Sequence, residues 1–187
     1  VLSVLQQHAP RRILDLGCGP GRLIEQMARL PSVDSIMGVD SAPSSIALAR
    51  RRLGPLMRAS QRPAVRLQLA LATNPDPRFL GHDAVVAVEM IEHLDPPRLR
   101  AFGQVVFDYL EPHLIVITTP NREFNARWRQ EGVRERDHRF EWTREEFRSW
   151  LAQADRSGKY EHRFDDIGTA LPGVGGATQM AVCVARG

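Results

Sequence analysis

A chain of 187 residues, 43% hydrophobic and 25% charged, has the size and composition of one globular domain. No apolar run approaches the roughly 20 residues of a membrane span. Two cysteines, Cys18 and Cys183, are too few for a disulfide framework, so a reducing cytoplasm is the expected compartment. The formal net charge of +3 admits an acidic partner such as nucleic acid. Lys159 is the only lysine, however, and so strong an arginine bias reads more readily as the coding bias of a GC-rich genome than as a binding face.

The opening, VLSVLQQHAP, has no initiator methionine and no basic-then-apolar leader. It reads as the middle of a helix, so further residues are expected upstream. Apolar runs then alternate with helix-period segments, which predicts βα units around a parallel sheet. Arg11 to Leu16 is the first strand, Gly17 to Gly21 a glycine turn, and Arg22 to Leu30 a helix. Ser35 to Val39 is the second strand, ending at Asp40. Pro43 suits the first turn of a helix that Ile46 to Leu53 continues. Val65 to Leu69 is the third strand, and Thr73 to Arg78 a proline-marked loop. Asp83 to Val88 is the fourth strand, followed by a helix from Pro96 to Leu110 that Asp95 starts. Leu114 to Thr118 is the fifth strand. Asn121 to Glu141 is polar, arginine-rich and without period, a long loop of the kind that is either functional or disordered. Thr143 and Glu146 form a capping box for a helix to about Ala154. Tyr160 to Ile167 and Thr178 to Val184 close the sheet.

The segment Asp15-Leu16-Gly17-Cys18-Gly19-Pro20-Gly21 follows the first strand and opens a helix. Glycines there let backbone approach a ligand, in the turn where doubly wound sheets bind nucleotides. A dinucleotide fingerprint would need glycine at position 22, which is Arg22. Asp15 also has the wrong sign for a pyrophosphate and the right one for the ammonium of S-adenosylmethionine. Asp40 ends the second strand, where a carboxylate can accept hydrogen bonds from both ribose hydroxyls. Asp15, Gly17, Gly19, Gly21 and Asp40 together resemble the class I methyltransferase pattern, with S-adenosylmethionine as the implied cofactor.

Glu89, Glu92 and His93 follow the fourth strand. If the chain turns helically there they share one face, and two carboxylates with an imidazole make a divalent-metal site. A solvated helix start, where acids are favoured, explains them equally well. The blocks Glu89-x-x-Glu92-His93-Leu94, Thr119-Pro120-Asn121-x-Glu123-Phe124-Asn125 and Asp137-His138-Arg139-Phe140-Glu141-Trp142-Thr143 stand in that order. They resemble the small-RNA 3′-terminal 2′-O-methyltransferases of the Hua-enhancer type, found in bacteria, plants and animals. The resemblance runs from Ile13 to Ala185 and takes in Thr178-Gln179-Met180.

The resemblance implies a class I, Rossmann-like α/β fold: one methyltransferase domain over residues 1–187, with a doubly wound, seven-stranded, mostly parallel sheet. It implies one divalent ion, Mn²⁺ or Mg²⁺, held by Glu89, Glu92, His93 and His138 and gripping the 2′- and 3′-hydroxyls of an RNA 3′ end. A methyl group then passes from S-adenosylmethionine to the 2′ oxygen. Metal coordination lowers the pKa of that hydroxyl, and His93 and His138 are both candidates for the general base. The family pattern has Gly-Ser after the third strand where this chain has Ala70-Leu71. Leu71 is expected at the cofactor through its backbone, without a serine hydroxyl. In bacteria the family implies RNA repair beside a polynucleotide kinase–phosphatase partner, and in animals and plants the protection of silencing RNAs. Two rival readings are a metal-dependent methyltransferase of a small diol such as a catechol, and a catalytically silent RNA-binding domain.

Arg127, Arg129, Arg134, Arg136 and Arg139 are candidates for phosphate contact, or a solvated loop of an arginine-rich protein. Phe124, Trp128 and Phe140 are candidates for base stacking, with Phe140 expected instead to anchor the loop. Trp142, Phe147, Trp150 and Leu151 follow the helical period and are expected in the core. His8, His82, His113 and His162 are read as structural.

Overall fold

A computed structural model of the chain describes residues 1–58, 63–128 and 133–187, with 126–128 described by their backbone. Among the described residues, seven strands form one sheet in the order β3-β2-β1-β4-β5-β7-β6. They are β1 (Arg12–Leu16), β2 (Ser35–Asp40), β3 (Ala64–Leu69), β4 (Ala84–Val88), β5 (Leu114–Pro120), β6 (Tyr160–Ile167) and β7 (Thr178–Ala185). The β1–β2, β2–β3, β1–β4 and β4–β5 pairs are parallel, while β7 runs antiparallel to both β5 and β6. The helices are α1 (Leu2–His8), α2 (Arg22–Met27), α3 (Pro43–Arg58), α4 (Pro96–Gly103) and α5 (Arg144–Ala154).

Side chains of a strand alternate between faces, and the central strands are apolar on both. Leu14, Leu16, Val85, Ala87, Ile115 and Ile117 pack on one side against α4 and α5 through Leu99, Phe102, Phe147 and Leu151. Ile13, Ile36, Val86 and Val116 pack on the other against α1, α2 and α3 through Leu5, Ile24, Met27 and Leu53. Two buried layers on one sheet are the doubly wound arrangement. Each fully buried Leu, Ile or Phe contributes about 1.5–3 kcal/mol.

Three elements differ in detail from expectation. The helix α3 passes through Pro55 to end at Arg58. The helix after β4 starts at Pro96, with the Asp95 carboxylate accepting from the Arg98 amide at 3.0 Å. From Gln104 to Leu110 it continues with π-helical winding. The wider turn keeps Val105, Val106 and Phe107, three consecutive residues, all in the core. The long segment after β5 begins with a 3-10 turn, Arg122–Trp128. The Thr143 capping box is present: Thr143 Oγ1 accepts from the Glu146 amide at 3.2 Å and Glu146 Oε2 from the Thr143 amide at 2.8 Å. No helix among the described residues is long and apolar enough to cross a membrane.

Candidate cofactor and metal site

The glycine turn leaves β1 at the carboxyl edge of the sheet, where the Gly17 and Cys18 amides both donate to the Val39 carbonyl, at 2.8 and 2.9 Å. Gly17, with φ +78°, allows a close approach: a Cβ there would lie 2.4 Å from Met90 Cγ. Gly21, at φ +76°, packs against α3, and a Cβ would meet Leu53 Cδ1 at 2.8 Å. Gly19, at φ +52°, faces open space, with nothing within 4 Å of its Cβ direction. The Asp40 carboxylate spans the turn, accepting from the Gly19 amide and the Ala42 amide, both at 2.8 Å. Each of its oxygens keeps a second lone pair for a ligand.

Beside this turn lies a cleft of about 450 Å³, whose walls include Gly17, Gly19, Asp40, Leu71, Glu89 and His93. That volume is in the range of small-ligand sites, roughly 300–1,000 Å³. Asp15 and Gly21 are not in its wall. Asp15 is 2% exposed. Burial first, and the charge of Asp40 second, push its carboxyl up to about 7.

The Glu89–His93 segment does not form the α-helical turn the spacing suggested. Glu89 takes a left-handed backbone, φ +49°, and Ile91–His93 is a single 3-10 turn. The conformation is fixed from β5, where the Glu89 amide donates to the Thr118 carbonyl at 3.2 Å. Thr118 Oγ1 accepts from the same amide and donates to Glu89 Oε1 at 2.8 Å. Glu92 is fully buried, and Thr119 Oγ1 donates to its Oε2 at 3.1 Å. Burial and then the charge of Glu89 push the Glu92 carboxyl up to about 8. Burial likewise raises Glu89, against its Thr118 hydrogen bond.

The loop before α5 brings His138 to this turn. The Arg139 amide donates to the Glu92 carbonyl at 2.8 Å, and the His93 and His138 rings lie edge to face with centroids 5.0 Å apart. The Trp142 carbonyl accepts from the Arg122 amide at 3.0 Å and from Gln179 Nε2 at 2.9 Å, tying the loop to the turn after β5 and to β7. Glu92, His93 and His138 each place a ligand-type atom within 4.8 Å of the others. Glu89, expected as the fourth ligand, is not in that set, its Oε1 being held by Thr118. His93 Nδ1 lies 3.3 Å from the Asp137 carbonyl, and His138 Nδ1 2.8 Å from Glu141 Oε1.

Among the described residues, two buried side-chain oxygens have no hydrogen-bond partner: Asp15 Oδ2 and Glu92 Oε1. Buried polar atoms are nearly always satisfied. Here the two exceptions are carboxylates at the candidate cofactor turn and the candidate metal turn.

Sequence reasoning gave no role to Thr118, Asn125 or Glu141, whose contacts are long-range or lie inside a loop. It read Arg134 as a phosphate contact or as part of a solvated loop, and the structure shows neither a solvated side chain nor an open one. The Arg134 side chain is 15% exposed, Nη2 donates to the Asn121 carbonyl at 2.6 Å and Nε donates to Asn125 Oδ1. Arg136 and Arg139 are exposed. Arg129 and the side chains of Arg127 and Trp128 lie outside the described residues. Phe124 is buried, and Phe140 stacks on Trp142 with centroids 4.2 Å apart, as expected of an anchor.

Residues 13–113 match a family model described as a methyltransferase domain. The solved methyltransferase domain of bacterial CtHen1-CN is 36% identical, with 98% of this chain and 94% of that one covered and a TM-score of 0.87. This chain belongs to the Hen1-type methyltransferase family. Another Hen1-type relative, the small RNA 2′-O-methyltransferase of Rattus norvegicus, is 35% identical over 97% of this chain and 48% of its own length. The chain spans about half the length of the curated vertebrate relatives it matches. An S-adenosylmethionine-dependent methyltransferase from Clostridium acetobutylicum ATCC 824 is 12% identical, with 100% of this chain and 89% of that one covered and a TM-score of 0.72. At that identity it shares the fold alone, the class I Rossmann-like fold that the Hen1-type family uses.

Proposed function

We propose that this domain transfers a methyl group from S-adenosylmethionine to the 2′-hydroxyl of the 3′-terminal nucleotide of RNA. We further propose that it does so with a divalent ion held by Glu92, His93 and His138, and by Glu89 once it turns from Thr118. The observation that carries this reading is the pair of orphaned oxygens. Asp15 Oδ2 and Glu92 Oε1 are buried without partners, one behind the glycine turn and one beside two imidazoles. A buried carboxylate left unpaired is costly, and each is the acceptor that a cation would satisfy. The 2′-O-methyltransferase names of the relatives support RNA as the substrate.

The donor set fits a divalent ion, because a buried carboxylate and two imidazoles converge within 4.8 Å. When bound, the ion supplies a lowered pKa and an orientation to a ribose hydroxyl, and the sulfonium cofactor supplies the methyl group. The chain's own residues do the rest. Asp40, its carboxylate pinned by two amides, accepts hydrogen bonds from the cofactor ribose. Asp15 supplies negative charge toward the cofactor's ammonium. Leu71 forms an apolar part of the cleft wall. With Nδ1 of His93 and of His138 engaged, each ring offers only Nε2. An imidazole therefore cannot both hold the ion and take the hydroxyl's proton.

The test is methyl incorporation into RNA oligonucleotides ending in a ribose or in a 2′-deoxyribose, with catechol alongside. The ribose end should be methylated and the other two should be inert. Methylation of catechol alone, or of the 2′-deoxy end, would overturn the reading.

A further inference from the structure

Glu141 sits three residues after His138 with its side chain fully buried. Four contacts surround its carboxylate. Oε1 accepts from the Arg134 amide at 2.6 Å and faces His138 Nδ1 at 2.8 Å. Oε2 accepts from Asn125 Nδ2 at 2.6 Å and lies 3.8 Å from Arg134 Nε. The Asn125 amide cannot flip to offer its oxygen instead, because Arg134 Nε already donates to Asn125 Oδ1. Arg134 is held in turn, its Nη2 donating to the Asn121 carbonyl at the end of β5 at 2.6 Å. Donors therefore approach Glu141 from both sides. A glutamine would set its amide nitrogen against another donor whichever way it turned. Only a carboxylate, an acceptor at both oxygens, fits the position.

An acceptor facing His138 Nδ1 calls for a proton on Nδ1, which in the neutral ring leaves the lone pair on Nε2. We propose that Glu141, fixed by Asn125 and Arg134, is the positioning residue that holds His138 in the Nδ1–H tautomer and so aims its Nε2 at the divalent ion. This rests on the metal reading above and extends it one layer outward. Carboxylates behind ligating histidines fix ring orientation and raise ligand basicity, and losing one typically weakens metal affinity about ten- to a hundredfold. The arrangement also explains why a carboxylate is buried in a loop: its charge acts through the ring it contacts. Glu141 is buried and not in the wall of the cleft, so its effect passes through His138.

The experiment uses the whole chain and Mn²⁺ as the probe. Long-range proton–nitrogen NMR of the wild-type protein should show His138 as the Nδ1–H tautomer. Glu141→Gln should mix or reverse that tautomer. It should weaken Mn²⁺ binding by about ten- to a hundredfold in calorimetry, while S-adenosylhomocysteine affinity stays within twofold. Glu141→Asp, which keeps the charge, should recover part of the Mn²⁺ affinity. In a His138→Ala background, adding Glu141→Gln should cost no further Mn²⁺ affinity. An Nε2–H tautomer in the wild type overturns the proposal, and needs no variant to fold. So does a folded Glu141→Gln with unchanged Mn²⁺ affinity while His138→Ala loses it, and in that case the metal reading survives. Wild-type protein that binds no Mn²⁺ overturns both.

Discussion

Asp15 is the residue whose chemistry is most exposed to test. Its carboxyl is pushed up to about 7 by burial and then by Asp40, and its Oδ2 has no partner. Asp40 and the Cys18 thiol are the titratable groups coupled to it. The sign of the linkage follows. Unfolded, the carboxyl titrates near 3.9, so between about 4 and 7 the folded chain holds a proton that the unfolded chain has released. The stability contributed by this group is complete below about 4 and is lost as pH rises through about 7. Cofactor binding runs the other way. An ammonium brought to the carboxylate expels the proton, so affinity for S-adenosylhomocysteine should climb from pH 6 to 8 and then level. Calorimetry in buffers of different ionisation enthalpy should count up to one proton released per ligand near pH 6.5. Asp15→Asn should flatten that pH dependence and weaken binding at pH 8. A wild-type affinity independent of pH would disprove the linkage.

At the scale of elements, two glycines of one turn, Gly17 and Gly19, have separable tasks. Gly17→Ala meets both a positive φ and Met90 Cγ at 2.4 Å. Strained backbone alone costs about 1–3 kcal/mol, which for a chain of this size lowers the melting temperature by roughly 2–4 °C per kcal/mol. Met90 lies between Glu89 and Ile91, so the displacement should also reach the metal turn and weaken Mn²⁺ binding. Gly19→Ala meets no neighbour, so it should lose about 1–2 kcal/mol of stability through φ and far more in cofactor affinity. Scanning calorimetry and S-adenosylhomocysteine titration separate the two, and equal losses in both variants would refute the division. What the sequence announced follows the same physics. The strands β4 and β5 are buried on both faces and read as apolar runs, Ala84 to Val88 and Leu114 to Ile117, and the Thr143 capping box is a local pattern. A left-handed Glu89 is announced by nothing in its neighbours, since Thr118, 29 residues away, holds it there. The tie between Glu141 and Arg134 was not legible because it runs through Asn125, 16 and 9 residues away.

For the whole molecule, strand order decides where the two half-sites meet. The sheet reverses direction of winding between β1 and β4, and ligands of open α/β sheets bind at such a switch point. The glycine turn leaves β1, the Glu89–His93 turn leaves β4, and both border one cleft. In the proposed reaction, cofactor and ion nevertheless use different side chains. Excess EDTA should therefore abolish methyl transfer while leaving S-adenosylhomocysteine affinity unchanged, and Mn²⁺ should restore activity at least as well as Mg²⁺. Imidazole ligands are softer than the all-oxygen shell Mg²⁺ prefers. Full turnover in EDTA would remove the ion from the mechanism. The same geometry constrains the substrate's last ribose. The family resemblance implies that an ion held by Glu89, Glu92, His93 and His138 would grip both terminal hydroxyls. A 3′-deoxy end keeps the nucleophile but loses one grip, and misplacement on the order of 1 Å costs about a hundredfold in rate. A 3′-phosphate should be worse. It brings bulk and negative charge against Glu89 and Glu92, and the charge of Glu89 already raises the proton affinity of Glu92. Methyl incorporation into oligonucleotides differing only at that carbon measures this. A 3′-phosphate end that reacts as fast as a 3′-hydroxyl end would mean that the ion does not bridge the two oxygens, and the bridging mechanism would fall while the family assignment stood.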